Sequence, residues 1–167
     1  MPEGKGFDAM ISRKDALIIS HLRKDGRIKV TKIAKSTGIP VTTIYDRIQR
    51  PARNVIKRHV TLLDFEKLGL HAHSNVAIKV DRSHLHELES YLLGHPNVNS
   101  LSRINHDFDF LAETVFRNIA ESEEFIGSLQ EKFPISMLQK FPVVNELKKE
   151  AFLTDPSHHE ALREDAQ

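Results

Sequence analysis

Along the first third of the chain, apolar residues recur at helical spacing and break at glycines. Ser12 followed by Asp15 forms a capping-box pattern, with the short Asp in the place of the usual Glu, and predicts a helix start. Leu17, Ile18, Ile19 and Leu22 then make an apolar stripe, Arg23 and Lys24 suit the negative end of the helix dipole, and Gly26 offers a left-handed stop. The pattern predicts a helix over 13–24. A second, two-turn helix is expected with Thr31 as cap, Ile33 and Ala34 facing inward and an end at Gly38. After Gly38-Ile39-Pro40 a third helix is expected from Val41, burying Ile44 and Ile48. Pro51 removes an amide donor and restrains its predecessor, so that helix should stop at Gln49 or Arg50.

The rest of the chain changes rhythm. Residues 55–63, VIKRHVTLL, are rich in β-branched side chains and predict a strand leading out of the head. Beyond it come a strand at 73–81, a helix at 83–93, strands at 97–104 and 108–116, a helix at 119–132 and a strand at 136–145. Ser83 is expected to open the first of these helices, Leu85, Leu88, Leu92 and Leu93 to form its apolar face, and Gly94, His95 and Pro96 to end it. The order β-α-β-β-α-β is the ferredoxin-like pattern, two helices on one face of a four-stranded antiparallel sheet. The fold class is therefore α+β: a helix-turn-helix of the winged type, then a ferredoxin-like βαββαβ domain. The expected divisions are 1–54 for the head, 55–70 for a linker strand and hinge, 71–153 for the body and 154–167 for a polar tail. A sheet covered on one face leaves the other to be buried, and pairing of two bodies face to face would bury it.

Charge sharpens this division. The 167 residues carry 24 Lys+Arg and 23 Asp+Glu, a formal net charge of +1. Residues 1–60 hold fourteen basic and five acidic side chains, +9, and the remainder ten against eighteen, −8. A basic head suits a polyanion such as DNA, where phosphate contacts release counterions. On the third helix Thr42, Thr43, Tyr45, Asp46, Arg47, Gln49 and Arg50 point away from the expected core. Val41, Thr42, Thr43 and Asp46, near its N-terminus, are the candidates for reading base edges. Arg47, Arg50, Lys57 and Arg58 are the candidates for phosphates, and Thr31 joins the DNA-facing set. One such module reads few base pairs, so a twofold dimer reading two half-sites is expected.

The run DGRIKVTKIAKSTGIPVTTIYDRIQR at 25–50 resembles the helix-turn-helix of the leucine-responsive and asparagine-responsive regulators, the Lrp/AsnC or feast/famine family. VIKRHVTLLDFEKLGL at 55–70 and HPNVNSLSRINHDFDFLAETVF at 95–116 continue the resemblance, in register, over roughly residues 11–153. It implies a DNA-binding transcription regulator that forms homodimers, often assembled as four dimers, with residues 55–63 pairing with their twin. It also implies an amino-acid effector pocket at the turn Asn105-His106-Asp107 with Asp109. The family usually has a glycine where His106 stands, leaving backbone amides open to a carboxylate. A second departure is Pro51, where the family continues its recognition helix.

Other chemistry carries less. With no cysteine, disulfides and thiolate metal sites are excluded, and the ten histidines show no zinc-site spacing. Neither a catalytic site, a metal nor a cofactor is expected. The enzymatic alternative on this fold is a siroheme decarboxylase-like protein using His95, Arg103 and His106 around a tetrapyrrole. Against it stand the basic third helix and the absence of tryptophan. No apolar run is long enough for a membrane span or signal peptide, so the expected location is the cytoplasm.

Overall fold

A computed structural model describes residues 12–49, 55–155 and 157. The chain divides into two compact units, Met1–Leu62 with Leu147–Gln167, and Leu63–Glu146.

In the first unit, helix α1 (Arg13–Lys24) starts as expected: the Ser12 hydroxyl accepts from the Asp15 amide at 3.2 Å. Its end differs from expectation. Gly26 is not left-handed; Asp25 leaves the helix extended, at φ −149°, and builds the turn itself. The Asp25 carboxylate accepts from the Arg27 amide at 2.9 Å and its carbonyl from the Ile28 amide at 3.1 Å, so the chain reverses without a left-handed residue. Helix α2 (Val30–Thr37) begins a residue earlier than Thr31 could cap it. Lys29 is the cap, without a side-chain hydrogen bond, and its carbonyl takes the amides of Lys32 and Ile33, which leaves Thr31 exposed in the first turn. Gly38 closes α2 in the left-handed conformation, φ 71°. A Cβ there would meet open space, so backbone conformation and not crowding selects glycine.

Helix α3 (Val41–Gln49) follows. Expectations for Arg50 and Pro51 lie outside the described residues. Ile18, Ile33, Ile39 and Ile44 form the core of this unit, with Leu22, Ile28, Val30, Ala34 and Ile48 packed around it. The His21 ring joins α1 to α2, its Nδ1 at 2.8 Å from the Leu17 carbonyl and its Nε2 at 2.8 Å from the Ser36 hydroxyl. The described residues of this unit hold three helices and no strand.

Two segments at the unit's margins differ from expectation in the single chain. Residues 55–63 form no strand: they take no place in a sheet ladder, and Val55, Val60, Leu62 and Leu63 are exposed. Strand propensity needs a partner edge, and a single chain supplies none here. Residues 147–153, expected at the end of the body, pack within the first compact unit. The Arg23 guanidinium donates to the Phe152 and Glu150 carbonyls at 3.0 and 2.7 Å and pairs with the Glu150 carboxylate at 2.9 Å, while Leu153 is buried. Of the tail 156–167, only Ser157 is described.

The second unit realises βαββαβ as β1 (Ala72–Val80), α4 (Leu85–Gly94), β2 (Val98–Arg103), β3 (Phe110–Phe116), α5 (Ile119–Lys132) and β4 (Ile135–Pro142). The sheet order is β2-β3-β1-β4 and every neighbouring pair is antiparallel. Alternate residues of β1 and β3, including Val76, Ile78, Phe110 and Phe116, meet Leu88 and Leu92 of α4 and Phe125, Ile126 and Leu129 of α5. Ser83 does not cap α4. It lies in a short 3-10 turn, Arg82–His84, and the Asp81 carboxylate accepts from its amide at 3.0 Å. Leu93, expected in the core, is 69% exposed: it stands one residue past Leu92, off the buried stripe of Leu88 and Leu92.

Candidate nucleic-acid interface

Helix α3 is held by Ile44, which is fully buried, and by the half-buried Ile48. Every other position except the half-buried Thr43 is exposed: Val41, Thr42, Tyr45, Asp46, Arg47 and Gln49 all reach solvent. Around it the described part of the head displays Arg13, Lys14, Lys24, Arg27, Lys29, Lys32 and Lys35, also exposed. A short helix with polar and small side chains on its outer face, in a basic setting, matches the chemistry of a duplex groove bordered by phosphates. Lys57 and Arg58 are exposed in the segment that leaves this unit.

Sequence spacing did not reveal how Arg47 is used. Its Nη1 donates to Asp15 Oδ1 at 2.6 Å and to the Ser12 hydroxyl at 3.1 Å. The hydroxyl in turn donates to Asp15 Oδ2 at 2.5 Å. The partners stand 32 and 35 positions apart, beyond any local pattern.

In the second unit, Asn105, His106 and Asp107 form the exposed turn between β2 and β3. His106 adopts φ 73°, the left-handed region that favours glycine. Asp109 is already committed. Its Oδ1 accepts from Lys79 Nζ at 3.2 Å and its Oδ2 from the Val80 amide at 3.1 Å, which ties the base of this hairpin to β1. On the sheet face opposite the helices, Glu113 accepts from Asn99 Nδ2 at 2.6 Å and Ser100 Oγ at 3.1 Å, and lies 2.9 Å from His73 Nε2. This polar group escaped the sequence reading because it joins three strands.

The residues of the enzymatic alternative have surroundings of different kinds. His95 packs on Phe125, with ring centroids 4.6 Å apart, and near Tyr91 and Phe116. Burial, and then the nearby Lys132 cation, pushes its imidazole below the ordinary histidine range. The Arg103 guanidinium lies 5.8 Å from the centre of the Phe110 ring, and His106 is exposed on its turn. Among the described residues no cluster of His, Cys, Asp or Glu could hold a metal, and no helix is long and apolar enough to cross a membrane.

A basic three-helix head with an exposed third helix, joined to a ferredoxin-like unit, defines a DNA-binding helix-turn-helix regulator. Residues 11–50 match the AsnC-type helix-turn-helix domain, and residues 75–152 the Lrp/AsnC ligand binding domain. The chain is 30% identical over 120 residues to the HTH-type transcriptional regulator FL11 of Pyrococcus furiosus, covering 70% of this chain and 80% of that protein. Among solved structures it is similar to an AsnC family transcriptional regulator from Agrobacterium tumefaciens, with a TM-score of 0.73 and 26% identity, over 83% of this chain and 94% of that one. The fold also matches a transcriptional regulator from Neisseria meningitidis in complex with L-Met, with a TM-score of 0.76 at 15% identity, over 83% of this chain and 93% of that one. The chain belongs to the Lrp/AsnC family of transcription regulators. The enzymatic alternative gains no support from these relatives, which are named as regulators.

Proposed function

We propose that this regulator acts in the cytoplasm, without catalysis of its own, as a dimer or an assembly of dimers that lays two copies of α3 in major grooves of duplex DNA. Val41, Thr42, Thr43, Asp46 and Gln49 meet base edges, with Tyr45 and Thr31 at the margin of the contact. Arg50, Lys57 and Arg58 hold phosphates. The observation that carries this reading is the outer face of α3, exposed from Val41 to Gln49 apart from the residues that anchor it. Phosphate contacts supply most of the affinity, and α3 the selectivity.

Residues 75–152, most of them in the second unit, match the ligand-binding domain of the family, and the Neisseria protein is in complex with L-Met. An amino acid or similar molecule acting at Asn105, His106 and Asp107 is the corresponding reading for this chain. Asp109 contributes by fixing the hairpin, since its carboxylate already has Lys79 and the Val80 amide as partners.

The phosphate assignment is tested by gel shift over a range of salt concentrations. Lys57→Ala and Arg58→Ala should each weaken binding to every duplex and lower the slope of log affinity against log salt by about one for each phosphate left without its cation. Unchanged slopes in both variants would remove these residues from the interface.

A further inference from the structure

Helix α3 has a thin apolar footing. Of its nine residues only Ile44 is buried, Ile48 is the one apolar residue packed beside it, and Thr43 is half-buried; the two isoleucines lie close to one line along the helix. A single line of contact fixes the distance of a helix from its neighbours better than its roll about its own axis. Arg47 is displaced from Ile44 by about 60° around the helix, given ~100° per residue. Its guanidinium is therefore a second anchor, placed to resist roll. It bridges to α1 through the Asp15 carboxylate at 2.6 Å and the Ser12 hydroxyl at 3.1 Å.

Within the bridge Ser12 uses its full hydrogen-bonding capacity. The Ser12 hydroxyl has one hydrogen, given to Asp15 Oδ2, and two acceptor positions, taken by the Asp15 amide and by Arg47 Nη1. Asp15 and Arg47 side chains are 20% and 35% exposed, enough shielding from water to favour a defined geometry over a loose surface pair. A helix with side chains has a radius of about 5–6 Å, so a roll of about 10° moves a tip on its outer face by about 1 Å. Hydrogen bonds to base edges tolerate only a few tenths of an ångström around their preferred length, so a roll of that size breaks readout and leaves phosphate attraction intact.

We infer that Arg47 is a positioning residue for sequence readout, locked to Asp15 and Ser12 so that Thr42, Thr43 and Asp46 meet the groove in one register, and that it does not act as a phosphate ligand. The inference rests on α3 being the groove element.

The sign of one substitution separates the two roles. Asp15→Asn removes a negative charge from a DNA-binding head. If Arg47 were a phosphate ligand restrained by Asp15, the variant would free it, and binding to every duplex would tighten. As a positioning bridge, its loss lowers affinity for a selected duplex by about fivefold or more, a coupling ordinary for neighbouring residues, and leaves affinity for a scrambled duplex unchanged or slightly tighter. Arg47→Gln should lose the same discrimination, the double variant no more than either, and Asp15→Glu should recover most of it.

The experiment is fluorescence anisotropy on the whole chain with selected and scrambled duplexes, well below the melting temperature of each variant. Discrimination, unlike stability, does not fall for a folded protein whose bridge merely adds rigidity elsewhere. Equal or tighter selected binding by Asp15→Asn, or a failure of Asp15→Glu to differ from Asp15→Asn, would overturn the inference while leaving the DNA-binding function standing. A wild type that distinguishes no duplex would overturn the function itself, and the inference with it.

Discussion

Replacing His106 by glycine should stabilise the second unit. The residue sits at φ 73° on an exposed turn, where its imidazole faces solvent, so little is lost when the ring goes. A left-handed conformation costs an L-residue about 1–2 kcal/mol, and glycine removes that cost. Against this, glycine enlarges the conformational freedom of the unfolded chain, an opposing effect of about 0.4–1 kcal/mol. The net expectation is a gain of about 0.5–1 kcal/mol, or about 3–6 °C in melting temperature for a domain of this size. His106→Val, β-branched and still more strained at positive φ, should move the midpoint the other way. Scanning calorimetry of the full-length protein, with urea unfolding followed by amide exchange at β2 and β3, reads the change where it arises. A midpoint that is unchanged or lower in His106→Gly would refute the argument from backbone strain. The same variant opens the backbone amides of the turn, so it should also bind an amino-acid carboxylate at least as well as the wild type.

Other expectations are more local. Ile44→Ala, at a fully buried site shared by α1, α2 and α3, should cost about 2–5 kcal/mol and strip amide-exchange protection from the head while β1 and β3 keep theirs. Retained protection throughout the head would show that the core is not centred on this residue. His95 gives a pH dependence. Its folded-state pKa lies below its unfolded one, so the unfolded chain takes up the proton more readily and stability rises with pH across that interval. The contribution is complete above the ordinary histidine range and declines as pH falls through that range toward the depressed value. His95→Phe should flatten urea midpoints measured from about pH 7.5 down to about pH 5.5, either side of the ordinary histidine value; an unaltered profile would assign the slope to other groups.

Local rules made much of the fold legible in advance. Ser12 and Asp15 marked the start of α1, Gly38 the end of α2, and the order of strands and helices beyond residue 70 marked the βαββαβ unit. Prediction failed where a neighbour of similar chemistry could do the same work. Asp25 turned the chain before Gly26 was needed, Lys29 displaced Thr31 as cap, and Asp81 rather than Ser83 received the first amide ahead of α4. Residues 55–63 have the composition of a strand, but composition cannot provide the edge with which to pair. In the candidate interface the exposed face of α3 followed from periodicity, since two isoleucines four apart leave all but the half-buried Thr43 outside. The bridge from Arg47 to Asp15 joins residues distant in sequence, and so does the Glu113 group across three strands. Only the packed chain brings such partners within reach.

The central claim is that the outer face of α3 reads a duplex from a paired scaffold. Selecting bound sequences from random duplex DNA, with the wild type and with Thr43→Ala side by side, tests it most directly. The account predicts a motif with twofold symmetry whose half-sites are spaced by about one helical turn or a multiple of it, and a changed preference at one position of each half-site in the variant. No enrichment by the wild type, or an identical motif from both proteins, would contradict it.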